Sequence, residues 1–202
     1  MFKHNFTLFN RMNVILDLDS TIIHSVEPNE CIHLDPDFQN SFDYKDMIGY
    51  VRIFGRPHLQ YFLDYLFEHF DVSVLTAADY GYGWFIIQNF LLIKPERKLK
   101  YFMHNYHTEM ADEIYGKHKD LRMIYDIFQL QNMSHNNTVI LDDHPKVYSA
   151  NSLNTIPAPA FLVMNEKTCK PNYDMIHDTF LLDAMEKLDK MKQNYTMYGS
   201  IY

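Results

Sequence analysis

The residues Asn13 to Ser25, N-V-I-L-D-L-D-S-T-I-I-H-S, constrain this chain more than any other stretch. Val14-Ile15-Leu16 is a short, largely β-branched apolar run, the kind that forms a strand buried on both faces of a sheet. Polarity then inverts at once. Asp17 and Asp19 stand two apart with Thr21 beyond, so a strand leaving the sheet here delivers two carboxylates at its C-terminal end, where open α/β sheets bind ligands. Placing like charges together is costly unless something uses them. One carboxylate can serve as nucleophile and metal ligand while its neighbour acts as general acid and base, the division of labour that phosphoryl transfer through an aspartyl-phosphate needs. A lone D-x-D-x-T also arises by chance in surface loops, and it is the strand before it that lifts this one above that reading.

The rest of the chain alternates strand and helix patterns. Val26 to Lys45, with its prolines, aspartates and asparagines, reads as loop, and Tyr50 to Phe54 has strand character that Gly55 ends. Leu59, Phe62, Leu63, Leu66, Phe67 and Phe70 recur at helical spacing, with Pro57 suited to the first turn. Val72 to Leu75 is a second buried strand, ending at Thr76-Ala77-Ala78. A loosely started helix is expected from Tyr80 to Ile93, an irregular stretch from Lys94 to His118, and a helix from Leu121 to Leu130. Thr138 to Leu141 is another buried strand and it too ends in acid, Asp142-Asp143. A last strand around Phe161 to Val163 and a helix from about Tyr173 to Lys192 complete the order. Such alternation predicts an α/β fold: a doubly wound, mostly parallel sheet flanked by helices. The 202 residues fit a single domain, with a core of about 13–192 and terminal extensions on either side. Between Thr21 and Thr76 a strand-like segment and a core helix use much of the chain. That leaves room for a small β insertion and none for a large cap domain, which favours a phosphate displayed on a macromolecule over a buried metabolite.

Composition narrows the partners. A net charge of −8 makes a nucleic-acid backbone an unpromising ligand, since phosphate tracking needs an excess of Lys and Arg. Cys31 and Cys169 form no C-x-x-C pattern and support neither a disulfide framework nor a zinc site, in keeping with an intracellular compartment, nucleus or cytoplasm. Met1 to Arg11 lacks the apolar core of a signal peptide, and no apolar run nears the ~20 residues that span a bilayer. Of the eleven histidines, His104, His107 and His118 tempt most as metal ligands, yet their spacings fit no ligand pattern.

Parallel strands bring Asp17/Asp19, Thr76 and Asp142/Asp143 to one edge of the sheet. Carboxylates gathered around one point call for a cation, and oxygen-only ligands favour Mg²⁺ over zinc. The hydroxyl of Thr76 and backbone N–H groups nearby, with Leu18 and Ala77 as the neighbouring positions, suit phosphate oxygens. A lysine balances the remaining charge: Lys119, expected to open a helix, is best placed, and Lys117 is the fallback.

Asp17-Leu18-Asp19-Ser20-Thr21-Ile22-Ile23-His24-Ser25 resembles the D-L-D-E-T-L-V-H-S signature of the FCP/SCP group of haloacid dehalogenase-like phosphatases, which act on the C-terminal domain of RNA polymerase II. The two agree at Asp17, Leu18, Asp19, Thr21, His24 and Ser25. Arg56-Pro57, Leu75-Thr76-Ala77 with Tyr82 downstream, Lys119-Asp120-Leu121, Asp142-Asp143-His144-Pro145 with Tyr148, and Asn154 to Pro157 leading to Phe161 match further blocks in order. The resemblance implies that Asp17 is nucleophile and first metal ligand. Asp19 would be the acid/base, its backbone carbonyl facing the metal. Thr76 and Lys119 would hold phosphate, and Asp143 would be the last side-chain metal ligand, with Asp142 beside it as ligand or support. His144 stands where the family usually has a small residue, and Gly116 sits only three residues before Lys119; both departures touch the rim and leave substrate preference open. The expectation is a Mg²⁺-dependent protein serine/threonine phosphatase acting on a phosphorylated protein or peptide, with RNA polymerase II C-terminal-domain repeats as the suggested partner. A phosphatase for a small metabolite or nucleic-acid end, and a non-catalytic phosphoprotein scaffold, remain the alternatives.

Overall fold

In a computed structural model of the protein, residues 11–31, 34–165 and 167–202 are described. Residues 1–10, on which the expectation of no signal peptide chiefly rests, and the side chain of Cys31 lie outside that set. Among the described residues no helix is long and apolar enough to cross a membrane.

The centre is a five-stranded parallel sheet in the order β6-β5-β1-β7-β8, formed by β1 (Asn13–Leu16), β5 (Asp71–Leu75), β6 (Phe102–Met103), β7 (Thr138–Asp142) and β8 (Thr155–Pro157). β1 lies in the middle and every residue in it is buried. Alternation along the strand sends Val14 and Leu16 to one face and Ile15 to the other. The first face is covered by α3 (Leu59–His69) through Phe62, Leu63 and Leu66, by Ile86 to Leu91, and by α7 (Phe180–Tyr198) through Leu181, Ala184 and Leu188. Against the second face pack Ala111 of α5 (Asn105–Tyr115), Met123, Ile124 and Val147 of α6 (Pro145–Ala150). Helices on both faces make the sheet doubly wound, as the strand and helix alternation predicts.

After the first motif the chain builds a separate antiparallel sheet of β2 (Ile23–Val26), β4 (Val51–Gly55) and β3 (Tyr44–Met47). Two short helices, α1 (Pro28–Cys31) and α2 (Pro36–Asn40), precede β3, so Val26 to Lys45 is not the loop expected. Phe38 of α2 and Phe42 bury themselves with Phe54 and Phe161 under this sheet, which no local periodicity announces. Together with α3 this takes up most of the described residues between Thr21 and Thr76, and they form no separate lid.

Other expectations need correction. Pro57 lies before the helix, in a turn where His58 takes a left-handed conformation at φ 66°, and α3 begins at Leu59. The predicted Tyr80 to Ile93 helix is α4 (Tyr80–Ile86) widening into a π turn over Ile87–Leu91, and Leu121 to Leu130 contains only the π turn Met123–Ile127. Lys94 to His118 is far from irregular: it supplies β6 and the eleven-residue α5. That helix buries only Thr108 and Ala111, so it lacks the apolar stripe by which a helix is recognised. Phe161 to Val163 is not a strand. The sheet edge is β8, while Phe161 turns inward and its N–H donates to the Ser20 carbonyl at 2.7 Å. At the C-terminus a 3₁₀ turn, Tyr173–His177, precedes α7, which runs on to Tyr198 and ends at Gly199 in the left-handed region at φ 71°.

Candidate active site

The strand ends meet as the parallel register requires. Leu16 pairs with Val74 of β5 and with Leu141 of β7, and the Asp17 N–H donates to the Leu141 carbonyl at 3.0 Å. Asp17 and Asp142 therefore leave adjacent strands side by side. Beyond Asp17 the chain folds back sharply: the Leu18 carbonyl accepts the N–H groups of Thr21, Ile22 and Ile23, and Ser20 sits in the left-handed region at φ 58°. This tight loop returns Thr21 to the carboxylates. The Thr21 hydroxyl lies 3.3 Å from Asp17 Oδ2 and 3.2 Å from Asp143 Oδ1, and it accepts the Asp143 N–H at 3.1 Å.

Asp17, Asp142 and Asp143 each offer a carboxylate oxygen, and these oxygens all lie within 4.8 Å of one another. The cluster holds no histidine; the tempting ones engage elsewhere, His118 with Asp112 and His104 with His107. Lys119 Nζ sits 2.6 Å from Asp17 Oδ1 and 2.8 Å from Asp142 Oδ2. Lys117, the fallback, is exposed. Three carboxylates against one ammonium leave two negative charges in a largely buried site, and a hard divalent cation fits that donor set. Asp142 already spends one oxygen on Lys119 and the other on the His144 N–H, 2.8 Å away. Its arrangement suits holding the lysine, while Asp17 and Asp143, joined through Thr21, suit a cation.

Lys119 does not open a helix. It lies in a turn with φ 49°, held from both sides by Asn151, whose amide donates to the Lys119 carbonyl at 3.0 Å and accepts the Leu121 N–H at 2.9 Å. Thr76 closes β5 with its hydroxyl buried and accepting the Ala78 N–H at 3.1 Å, while Ala77 is exposed beside it.

Asp19 turns the other way. Its Oδ1 accepts a 2.5 Å hydrogen bond from Tyr82 on α4 and lies 3.4 Å from the Ser25 hydroxyl on β2. Its carboxylate is not part of the acidic cluster, which leaves the main-chain carbonyl as what it can offer a cation. Burial pushes the Asp19 carboxyl up to about 6; the Tyr82 bond opposes the rise and the Asp17 charge adds to it. Asp142 and Asp143 are also raised, by burial first and by the Asp17 charge second. For Lys119 burial works against the charge, but Asp17 and Asp142 outweigh it and hold the ammonium above the usual lysine range.

The sequence names several of the residues around the site without the contacts they make. Thr21 belongs to the D-x-D-x-T pattern, which names the residue without naming the bridge it makes. Arg56 is fully buried at its side chain, makes a two-pronged ion pair with Asp178 at 2.8 and 2.7 Å, and donates to the Thr21 carbonyl at 2.8 Å. It thereby ties the motif loop to the segment before α7. Tyr82 and Arg56 stood in matched blocks, but Asp178 and Asn151 carried no signal.

The sequence model described as NLI interacting factor-like phosphatase matches residues 12–197. A putative CTD phosphatase-like protein, 355R, of Invertebrate iridescent virus 6 is 40% identical over 159 residues, covering 75% of this chain and 87% of the relative. Its counterpart in Invertebrate iridescent virus 3 is 32% identical over 190 residues, covering 89% and 96%. The CTD nuclear envelope phosphatase 1 homolog of Drosophila melanogaster is 27% identical over 198 residues, covering 94% and 71%. The solved structure of Fcp1, an essential RNA polymerase II CTD phosphatase, shares the fold with a TM-score of 0.54 at 22% identity; the match covers 87% of this chain and 49% of Fcp1, about half that protein. Motif, fold and relatives agree, and the chain belongs to the NLI interacting factor-like phosphatase family, the FCP/SCP-type branch of the haloacid dehalogenase phosphatases.

Proposed function

We propose that the chain acts as one catalytic domain, a Mg²⁺-dependent protein serine/threonine phosphatase that works through an aspartyl-phosphate on Asp17 inside the cell, in the nucleus or cytoplasm. The observation that carries this is the setting of Asp17: one oxygen against Lys119, the other against Thr21 and the Asp143 side, with a second carboxylate two residues on. Asp17, Asp143 and the Asp19 carbonyl would hold Mg²⁺, which would supply charge that offsets the repulsion between phosphate and carboxylate. An Asp17 oxygen attacks phosphorus. As the bond from phosphorus to the serine oxygen breaks, its electron pair stays on that oxygen, which takes the proton of Asp19. Asp19, now a carboxylate, removes a proton from water as the water oxygen attacks the phosphoryl group, and Asp17 departs unchanged. Lys119 spends two of its three N–H donors on Asp17 and Asp142 and has the third for a phosphate oxygen, alongside the Thr76 hydroxyl and the backbone at Leu18 and Ala77.

A site over which the described residues form no separate lid favours phosphoryl groups carried on a protein, and the resemblance of Asp17 to Ser25 to the FCP/SCP signature, together with viral relatives named CTD phosphatase-like, supports polymerase C-terminal-domain repeats. Mg²⁺-dependent phosphate release from phosphoseryl peptides, those repeats included, against sugar phosphates, nucleotides and 3′-phosphorylated oligonucleotides tests the reading. Peptides are expected to turn over and Asp17→Asn to abolish it. Preference for a metabolite or an oligonucleotide end would replace the protein substrate, and activity surviving Asp17→Asn would end the proposed chemistry.

A further inference from the structure

We infer that Tyr82, backed by Ser25, is a positioning residue for proton transfer: it anchors one oxygen of Asp19 and so decides which oxygen carries the proton to the leaving group. The inference rests on the reading of Asp19 as acid and base. Three separate elements supply the parts. Asp19 belongs to the tight loop after β1, and Ser25 to β2, where pairing with Ile53 of β4 fixes its register. Tyr82 stands in the first turn of α4, where its N–H donates to the Asp79 side chain at 3.0 Å, so the helix start sets where the phenol reaches.

Both contacts to the Asp19 side chain fall on Oδ1: Tyr82 at 2.5 Å and Ser25 at 3.4 Å. Tyr82 and Ser25 are themselves 2.6 Å apart. A phenol has one proton, and if Tyr82 gives it to Asp19, the Ser25 hydroxyl donates to Tyr82, forming a chain from serine through tyrosine to carboxylate. A donor fixed on Oδ1 makes that oxygen the acceptor in either protonation state. The proton of the acid form then belongs on Oδ2. It is Oδ2, therefore, that gives the proton to the serine oxygen when the phosphorus–oxygen bond breaks, and the same oxygen that later takes one from water. Without Tyr82 the carboxyl can rotate or carry its proton on the wrong oxygen, and the fraction of bound substrate facing a ready acid falls.

The test uses the leaving group, because a serine alkoxide needs a proton to depart and p-nitrophenolate does not. Mg²⁺-dependent kcat/KM, which reports events up to the departure of the leaving group, is measured on a phosphoseryl peptide and on p-nitrophenyl phosphate for the whole chain and for Tyr82→Phe, which keeps the ring and removes the hydroxyl. Expected is a loss of roughly tenfold or more on the peptide, seen in kcat with KM within about twofold, against less than about threefold on the aryl phosphate. Ser25→Ala should shift the ratio of the two substrates in the same direction by less, and serves if Tyr82→Phe fails to fold. Equal losses on both substrates, a loss confined to KM, or no change would overturn the inference while leaving the phosphatase reading in place. A native protein that turns over neither substrate would overturn that reading and this inference with it.

Discussion

Replacing Lys119 with methionine removes the only cation within reach of two buried carboxylates among the described residues. The side chains of Lys119, Asp17 and Asp142 are 3%, 8% and 0% exposed, so water cannot take over the neutralising role. Removing one partner of a buried pair costs about 3–5 kcal/mol, because the charge left behind stays desolvated. At this chain length each kcal/mol moves the melting temperature by about 2–4 °C, so a drop of roughly 6–20 °C is expected for Lys119→Met. Asp142→Asn alone should cost less, about 1–3 kcal/mol, since Lys119 keeps Asp17 and an amide oxygen can still accept the His144 N–H. The double variant decides the matter. With both the lysine and Asp142 neutralised, one fewer carboxylate is stranded, and the combined loss should fall short of the sum by about 1–2 kcal/mol. Urea denaturation at neutral pH without divalent cations measures all three. Additivity within about 0.5 kcal/mol, or a Lys119→Met loss under about 1 kcal/mol, would refute the idea that this lysine neutralises the pair.

Three further outcomes are expected. His24 is buried, its Nδ1 has no hydrogen-bond partner, and burial holds its imidazole down at about 4 from an ordinary 6.5. Above pH 6.5 both folded and unfolded states keep it neutral; between 6.5 and 4 the unfolded state binds more protons, so this residue removes stability as pH falls, about 2 kcal/mol by pH 5. Raised carboxylates act with the opposite sign, so the measurement is the difference in pH slope between the native protein and His24→Gln, and identical slopes would contradict it. Thr21→Val cuts the hydroxyl bridge between Asp17 and Asp143 and should weaken Mg²⁺ by roughly 10- to 100-fold in a calorimetric titration; unchanged affinity would show that the bridge does not orient the ligands. Arg56→Lys keeps the charge but cannot reproduce the fork onto Asp178 and the Thr21 carbonyl, and should lower unfolding free energy by about 1–3 kcal/mol. An isoenergetic lysine would mean that charge alone suffices there.

The chain's own order was enough to reveal the strands β1, β5 and β7, because full burial demands apolar runs and the carboxylates stand immediately after two of them. That Asp17, Thr76 and Asp142-Asp143 come to one edge of the sheet was legible for the same reason, whereas Lys119 was singled out as a helix start and lies instead in a turn, and the Asp19 side chain turns away from the acidic cluster. The helix α5 was not, since a helix lying half in solvent shows no apolar stripe, and β8 was missed because an edge strand of three residues leaves little pattern. Which oxygen of Asp19 is anchored, that Asn151 clamps the turn of Lys119, and that Arg56 reaches Asp178 were decided by tertiary structure alone. Those partners lie far apart along the chain, 63 residues for Tyr82 and Asp19 and 122 for Arg56 and Asp178. Only closure of the fold brings such groups within the few ångströms over which a hydrogen bond acts, whereas strand identity follows from burial that each residue records locally.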